Sequence, residues 1–210
     1  MIDFESINFR YLYHQFLLVK NLDQKTKMVI KHSGFPIRQD DNAMLIYGYI
    51  DHDAGISFEL MCAAYVFDNG DVALEPPNDT TSFKFRMNSF QGDIEQFNDT
   101  KVIGPFMEKM KMINDGYSVS DDVEDVREIK DLDPMRAPGY PDDIVVTFFM
   151  EGYRPEGIWC RVETVDRQKG TIRMTMLNEP NAPFGKHIGD MVDVGLLKLD
   201  DGEIKPVAIL

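Results

Sequence analysis

The sequence predicts an α+β chain in two parts: an N-terminal mixed α/β region with antiparallel hairpins, then a small, strongly bent C-terminal β-sheet or barrel-like module. Three observations carry that expectation. Apolar residues recur at helical spacing after Pro105, Asn-Gly and Asp-Gly turn signals separate alternating stretches, and the last ~70 residues hold five short strand-like runs. At 210 residues, 43% of them hydrophobic, the chain can bury a core in one large domain or in two small ones.

Residues 4–20 fit two periods. Phe4, Ile7, Tyr11 and Leu18 mark a helix face, whereas Ile7, Phe9, Tyr11 and Tyr13 alternate as in a strand, and the length of the stretch favours helix. Ala43 to Ile50 and Ser57 to Phe67 are strand-like. Asn69-Gly70 suits the positive φ values of a tight hairpin turn and should return the chain through Val72 to Leu74. Ser82 to Met87 alternates Phe83 and Phe85 with Lys84 and Arg86. A helix should then begin at Pro105, carry Phe106, Met107, Met110 and Ile113 on one face as core, and close on a left-handed Gly116. A weaker helix follows from Ser120, with Val123, Val126 and Ile129 as its thin apolar face and Asp121 and Asp122 near its positive end.

Three prolines in Pro134 to Pro141 should stop regular structure there. The expected division is therefore an α+β domain at 1–117, an acidic and Pro-rich linker at 118–141, and a small β-barrel-like domain at 142–210. In the last part Ile144 to Met150 is apolar on both faces, as in a central strand. Ile158, Cys160 and Val162 form one face of the next strand, with Trp159, Arg161 and Glu163 opposite. Ile172, Met174 and Met176 follow. Met191 to Leu199 and Ile204 to Leu210 supply more strand, the latter after an Asp201-Gly202 turn.

The charge narrows the function classes. A formal net charge of −14, spread over both halves, argues against nucleic acid as a partner, because phosphate binding rests on clustered Lys and Arg. No apolar run is long enough to span a bilayer, and the first residues lack a secretory pattern, so the expected location is cytoplasmic. Cys62 and Cys160, far apart in apolar runs, read as reduced core thiols.

The common catalytic signatures are missing: no G-x-S-x-G, no phosphate loop, no G-x-G-x-x-G and no H-E-x-x-H. His14, His32 and His187 have no partner that spacing identifies, and Asn78-Asp79-Thr80 and Asn98-Asp99-Thr100 read as turns. Asp51-His52-Asp53 with Glu59 downstream could hold a cation. Gly55 breaks the EF-hand pattern, however, and strand alternation turns His52 away from both carboxylates. A solvated turn is the simpler reading, and no cofactor or metal is expected. The densest acidic run holds Asp121, Asp122, Glu124, Asp125 and Glu128, and reads either as a solvated helix face or as a docking surface for a basic protein. Trp159 is either core on a two-sided sheet or an exposed interface anchor.

One ordered set of short motifs adds to this. A strand at Asp143 to Phe149 precedes Glu156-Gly157-Ile158-Trp159-Cys160-Arg161-Val162. Leu177-Asn178-Glu179-Pro180 and then Gly189-Asp190-Met191-Val192 follow. The order resembles a group of small bacterial domains of unknown function with an acidic-x-x-Trp-Val-x-Val core, a Leu-x-Asn-x-Pro turn and a Gly-Asp-x-Val lead into a later strand. Some of them are assigned as immunity proteins of polymorphic toxin systems. The likeness covers about a third of the chain, and Cys160 stands where Val is usual. It implies an architecture and a basic toxin-like partner more than a reaction. The expected function is thus a non-enzymatic acidic binding protein, with Asp121, Asp122, Glu124, Asp125, Glu128, Trp159 and Glu179 as partner-binding candidates. The alternative is an enzyme or a small-ligand or metal-binding domain, with a pocket between the halves around Asp51-His52-Asp53. The sequence leaves the oligomeric state open.

Overall fold

A computed structural model describes residues 7–78, 80–87, 89–90 and 92–210; Phe4 and Asp79 lie outside the described residues. The α+β class is borne out, and the chain divides into two compact units, 1–118 and 119–210.

The first unit is built on an antiparallel sheet in the order β4 (Val72–Leu74), β3 (Gly55–Val66), β2 (Ala43–Asp51), β1 (Gln15–Lys20), β6 (Asp93–Gln96), with β5 (Lys84–Arg86) also paired to β3. The hairpin expected at Asn69-Gly70 forms, and Gly70 takes a φ of 88°. Residues 15–20 are strand rather than helix. Leu17, Leu18 and Val19 are all buried because β1 lies inside the sheet between β2 and β6, and two covered faces erase the period of 2. At Gly48 of β2 an added Cβ would lie 1.9 Å from the Leu12 carbonyl oxygen, so only glycine admits the preceding turn.

Each face of this sheet has its own cover. On one, Leu17, Val19, Met44, Ile46, Phe58 and Leu60 pack with Ile30 of α1 (Gln24–His32), whose N-cap Asp23 accepts the Thr26 N–H at 2.7 Å. On the other, Phe16, Leu45, Tyr47, Tyr49, Met61 and Cys62 meet Ile103 of α2 (Thr100–Ile103), Phe106, and Ile113 of α3 (Met107–Gly116). The register slips between Leu45 and Ile46, which lets Met61 and Cys62, adjacent in β3, both serve this second core. Pro105 lies in the short 3-10 turn that leads into α3. Gly116 is the last helical residue of α3 rather than a left-handed cap, and Met107 is exposed rather than core.

The second unit is a closed five-stranded barrel. Strands β8 (Tyr140–Phe149), β9 (Glu156–Asp166), β10 (Thr171–Met176), β11 (Met191–Lys198) and β12 (Ile204–Ile209) run antiparallel in sequence order. The ring shuts where β12 pairs in parallel with β8, Val207 opposite Thr147 and Ile209 opposite Phe149. An extra residue at Glu163, between the register pairs of Val162 and Thr164, gives β9 a bulge of the kind that bends a sheet into a barrel. The interior is dry: Ile144, Val146, Phe148, Ile158, Cys160, Val162, Met174, Val194 and Ala208 form one cluster. Burial raises the Cys160 thiol to about 12, and raises Cys62 as well, so both remain unreactive thiols.

Of the 118–141 segment expected as a linker, residues 119–141 are folded into this unit. α4 (Asp121–Arg127) inserts Val123 and Val126 among the barrel residues, a 3-10 segment at Lys130–Met135 contributes Leu132, and β7 (Arg136–Ala137) pairs with the start of β8. Arg127, with 1% of its side chain exposed, holds Asp142 through two bonds, Nε to Oδ1 at 2.8 Å and Nη2 to Oδ2 at 2.7 Å. Arg136 donates to the carbonyls of Val126 and Pro141 and so closes the open end of α4. The prolines end regular structure locally, but these guanidinium groups carry the chain across them.

A fork-to-fork pair this deep costs desolvation that its own bonds only roughly offset, yet breaking one side leaves a buried charge. Arg127→Leu should therefore destabilise the unit by about 3–5 kcal/mol, whereas Arg127→Leu/Asp142→Leu should recover most of that loss. Urea unfolding of both variants measures the difference.

Candidate docking face

β8 alternates apolar residues on both faces, but the closed barrel covers only one of them. Ile144, Val146 and Phe148 point inward and are buried. Val145, Thr147 and Phe149 point outward, where Phe149 is 38% exposed. The neighbouring strands extend this outer surface. Trp159 lies opposite Val145, and Ile209, 83% exposed, lies opposite Phe149. Val207 faces Thr147, which in turn faces Gly157 on β9, so a threonine sits in the middle of the row. Leu177 is brought beside Trp159 by its N–H, which donates to the Trp159 carbonyl at 2.8 Å. The outcome is a largely apolar sheet surface across β12, β8 and β9 with Thr147 at its middle.

Trp159 is thus not core: its side chain is 38% exposed on the outside of the barrel. Inward and outward positions are fixed by the buried Ile158 and Cys160 on either side, so Trp159 has no route inside. Its backbone is held rigidly, because Asn178 Oδ1 accepts the Trp159 N–H at 2.8 Å. The Leu-Asn-Glu-Pro turn read from the sequence is therefore a device that seats the tryptophan.

On this outer face the ion pair of Asp143 and Arg161, at 2.7 Å, follows Val145 and Trp159, while two carboxylates off the face are kept ionised. Glu156 accepts the N–H groups of Asn181 and Ala182, which hold it below the usual carboxylate range. Glu179 accepts the Ile188 N–H at 3.0 Å and meets His187 Nδ1 at 2.6 Å; these bonds lower its pKa, and the same contact raises that of His187. The loop leading to β11 is closed by this pair and by the His187 N–H on Asp190.

The acidic run lies elsewhere on the unit. Asp122 accepts from Thr164 Oγ1 at 2.6 Å and Val165 N at 3.0 Å, five or more residues along β9 from Trp159. Arg167 joins Asp122 and Asp125 at 2.8 and 2.9 Å, and Arg127 joins Glu124 at 2.8 Å. Asp121 and Glu128 are exposed. Asp122 and Asp125 are therefore engaged in holding α4 against β9 and its turn, Glu124 pairs within the helix, and of the sequence candidates Trp159 is the one on the apolar surface, with Glu179 in the loop that follows Asn178. Val145, Phe149, Val207 and Ile209 were not among them. Their signal was the doubly apolar pattern of β8, but sequence alone does not tell which face a barrel will enclose.

In the first unit, Asp51 caps the β2–β3 turn by accepting the N–H groups of Asp53 and Ala54, and pairs with Arg86 at 3.6 Å. Glu59 is buried two register pairs beyond Ser57 and is bonded to Lys109 at 3.1 Å. Among the described residues no group of three or more His, Cys, Asp or Glu side chains could hold a metal ion.

The Glu179–His187 contact sets a pH dependence. A raised histidine pKa stabilises the loop below the ordinary histidine value, and the effect fades as pH rises through the raised one. Glu179, lowered, contributes above the ordinary carboxylate value. An NMR titration should show His187 titrating above its ordinary value, and Glu179→Gln should bring the midpoint down. A comparison with protein-family models, with curated proteins and with solved structures finds no match to this chain.

Proposed function

We propose that this chain is a non-enzymatic binding protein whose barrel docks a basic protein through the apolar surface centred on Trp159, in the manner of an immunity protein occupying a toxin. The observation that carries the reading is the uncovered second face of β8. An exposed, backbone-anchored tryptophan beside Val145, with Phe149 and Ile209 further along the same face, is the composition of an interface centre, and soluble proteins seldom leave such a patch without use. Charge selects the partner. The chain carries a net charge of −14, a field that speeds encounter with a cationic surface and repels an anionic one. Of the motif positions behind the resemblance to immunity-assigned domains, Trp159 lies on this surface and Leu177 and Asn178 hold its backbone, which supports the narrower reading.

Trp159 is the single tryptophan, so its emission reports on the surface directly. Co-expression with a toxin-like product of a neighbouring reading frame should restore growth, and Trp159→Ala should abolish that rescue. Asp68→Asn/Asp71→Asn, a charge change in the first unit, should leave it intact. Titration of the purified pair should shift Trp159 emission, with affinity falling as salt rises. Rescue that survives Trp159→Ala, or binding indifferent to salt, would overturn the proposal.

A further inference from the structure

The first unit holds a cavity of about 440 Å³ between α3, β3 and the segment that leads into β5. That volume falls within the roughly 300–1,000 Å³ of small-ligand clefts. Its floor is a saturated polar clasp. Lys109 Nζ spends its three protons on Glu59 Oε1 and on the carbonyls of Leu60 and Thr81, at 3.1, 3.0 and 3.2 Å. Glu59 in turn accepts from Ser82 Oγ at 3.0 Å and Phe83 N at 3.2 Å. This buried pair is neutral overall and fixes the 81–83 segment on the sheet, so neither group is left to meet a ligand.

The walls have opposite characters. On β5, Lys84 lies 5.0 Å from the Tyr117 ring centre and donates to the Tyr117 hydroxyl. That uses one of its three protons, while the Tyr117 ring packs on Tyr49, 4.4 Å between ring centres. On α3, Glu108 supplies a carboxylate, and Pro105, Met112 and Ile113 supply apolar surface. Met112 is 70% exposed, the most open methionine of the helix, and it lines this cavity instead of a core.

From a cation with a phenol on one wall, a carboxylate on the other and apolar groups beside them, we infer that the cavity binds a zwitterion with an apolar body, an α-amino acid such as leucine or methionine. The ligand carboxylate accepts from Lys84 Nζ, its ammonium pairs with Glu108, and its side chain lies on Met112, Ile113 and Pro105. This site is independent of the barrel surface, so the two proposals stand or fall separately.

Isothermal titration of the full chain with L-leucine tests it, alongside leucinamide, which lacks the carboxylate, and 4-methylpentanoate, which lacks the ammonium. The expected result is saturable leucine binding with a dissociation constant on the order of 10–100 µM. Each analogue should bind at least about tenfold more weakly, the loss of one charged contact. Lys84→Met should remove the preference for leucine over leucinamide, and Glu108→Gln, at an exposed helical position, the preference for leucine over 4-methylpentanoate. No saturable heat up to about 10 mM leucine, or equal binding of either analogue, would overturn the inference.

Discussion

Strand β8 is the member on which the second unit is organised. One edge is taken by β9, while the other is shared between β7 at its start and β12 at its end, so a ten-residue strand has its pairing divided among three neighbours. The parallel return of β12 is the costly element, because it brings the ends of the barrel's sequence together over a long loop. Once made, it decides every inward and outward position around the ring. The interior then fills completely, with α4 over the end near Asp142 and Phe184 against Phe148 at the other, about 20 Å along the strand. The apolar residues left outside have no place within the barrel.

The negative charge of the chain has a division of labour that its composition conceals. Asp23 caps α1, Asp51 closes a hairpin, Asp122 ties α4 to β9, and Glu156 holds the backbone of the loop after β10. Each satisfies N–H groups that would otherwise be unpaired, which is structural work for a charge at a surface. Exposed ion pairs such as Arg167 with Asp125 add little stability beyond this. Carboxylates committed to backbone donors stay ionised without occupying a cation, and so continue to shape the field around the protein.

Much of the fold was legible because its strands announce themselves. The Asn69-Gly70 hairpin and the barrel strands Glu156–Asp166, Thr171–Met176 and Ile204–Ile209 combine clear alternation with turn residues of one conformational meaning. Other elements were not, among them three in the first unit. β1 is covered on both faces and loses its period, α1 carries Lys25, Lys27 and Lys31 among few apolar positions, and β6 is four residues long with two of them acidic. The acidic segment looked like a linker because its ties form only on folding: Arg127 reaches Asp142, 15 residues on, and Asp122 reaches Thr164 and Val165, 42 and 43 residues on. Of the candidate site, Trp159 could be named from the sequence. Its apolar companions could not, since a strand apolar on both faces reveals its outer side only after the ring has closed.

Closure also bears on how the protein behaves when concentrated. A cylinder leaves no unpaired strand to template growth, so despite its greasy flank the barrel lacks the backbone ladder from which fibrils propagate. The open sheet of the first unit does have borders, but β4 is only three residues long and β6 carries Asp93 and Glu95. Neither border therefore offers the long, uncharged strand on which such a ladder grows.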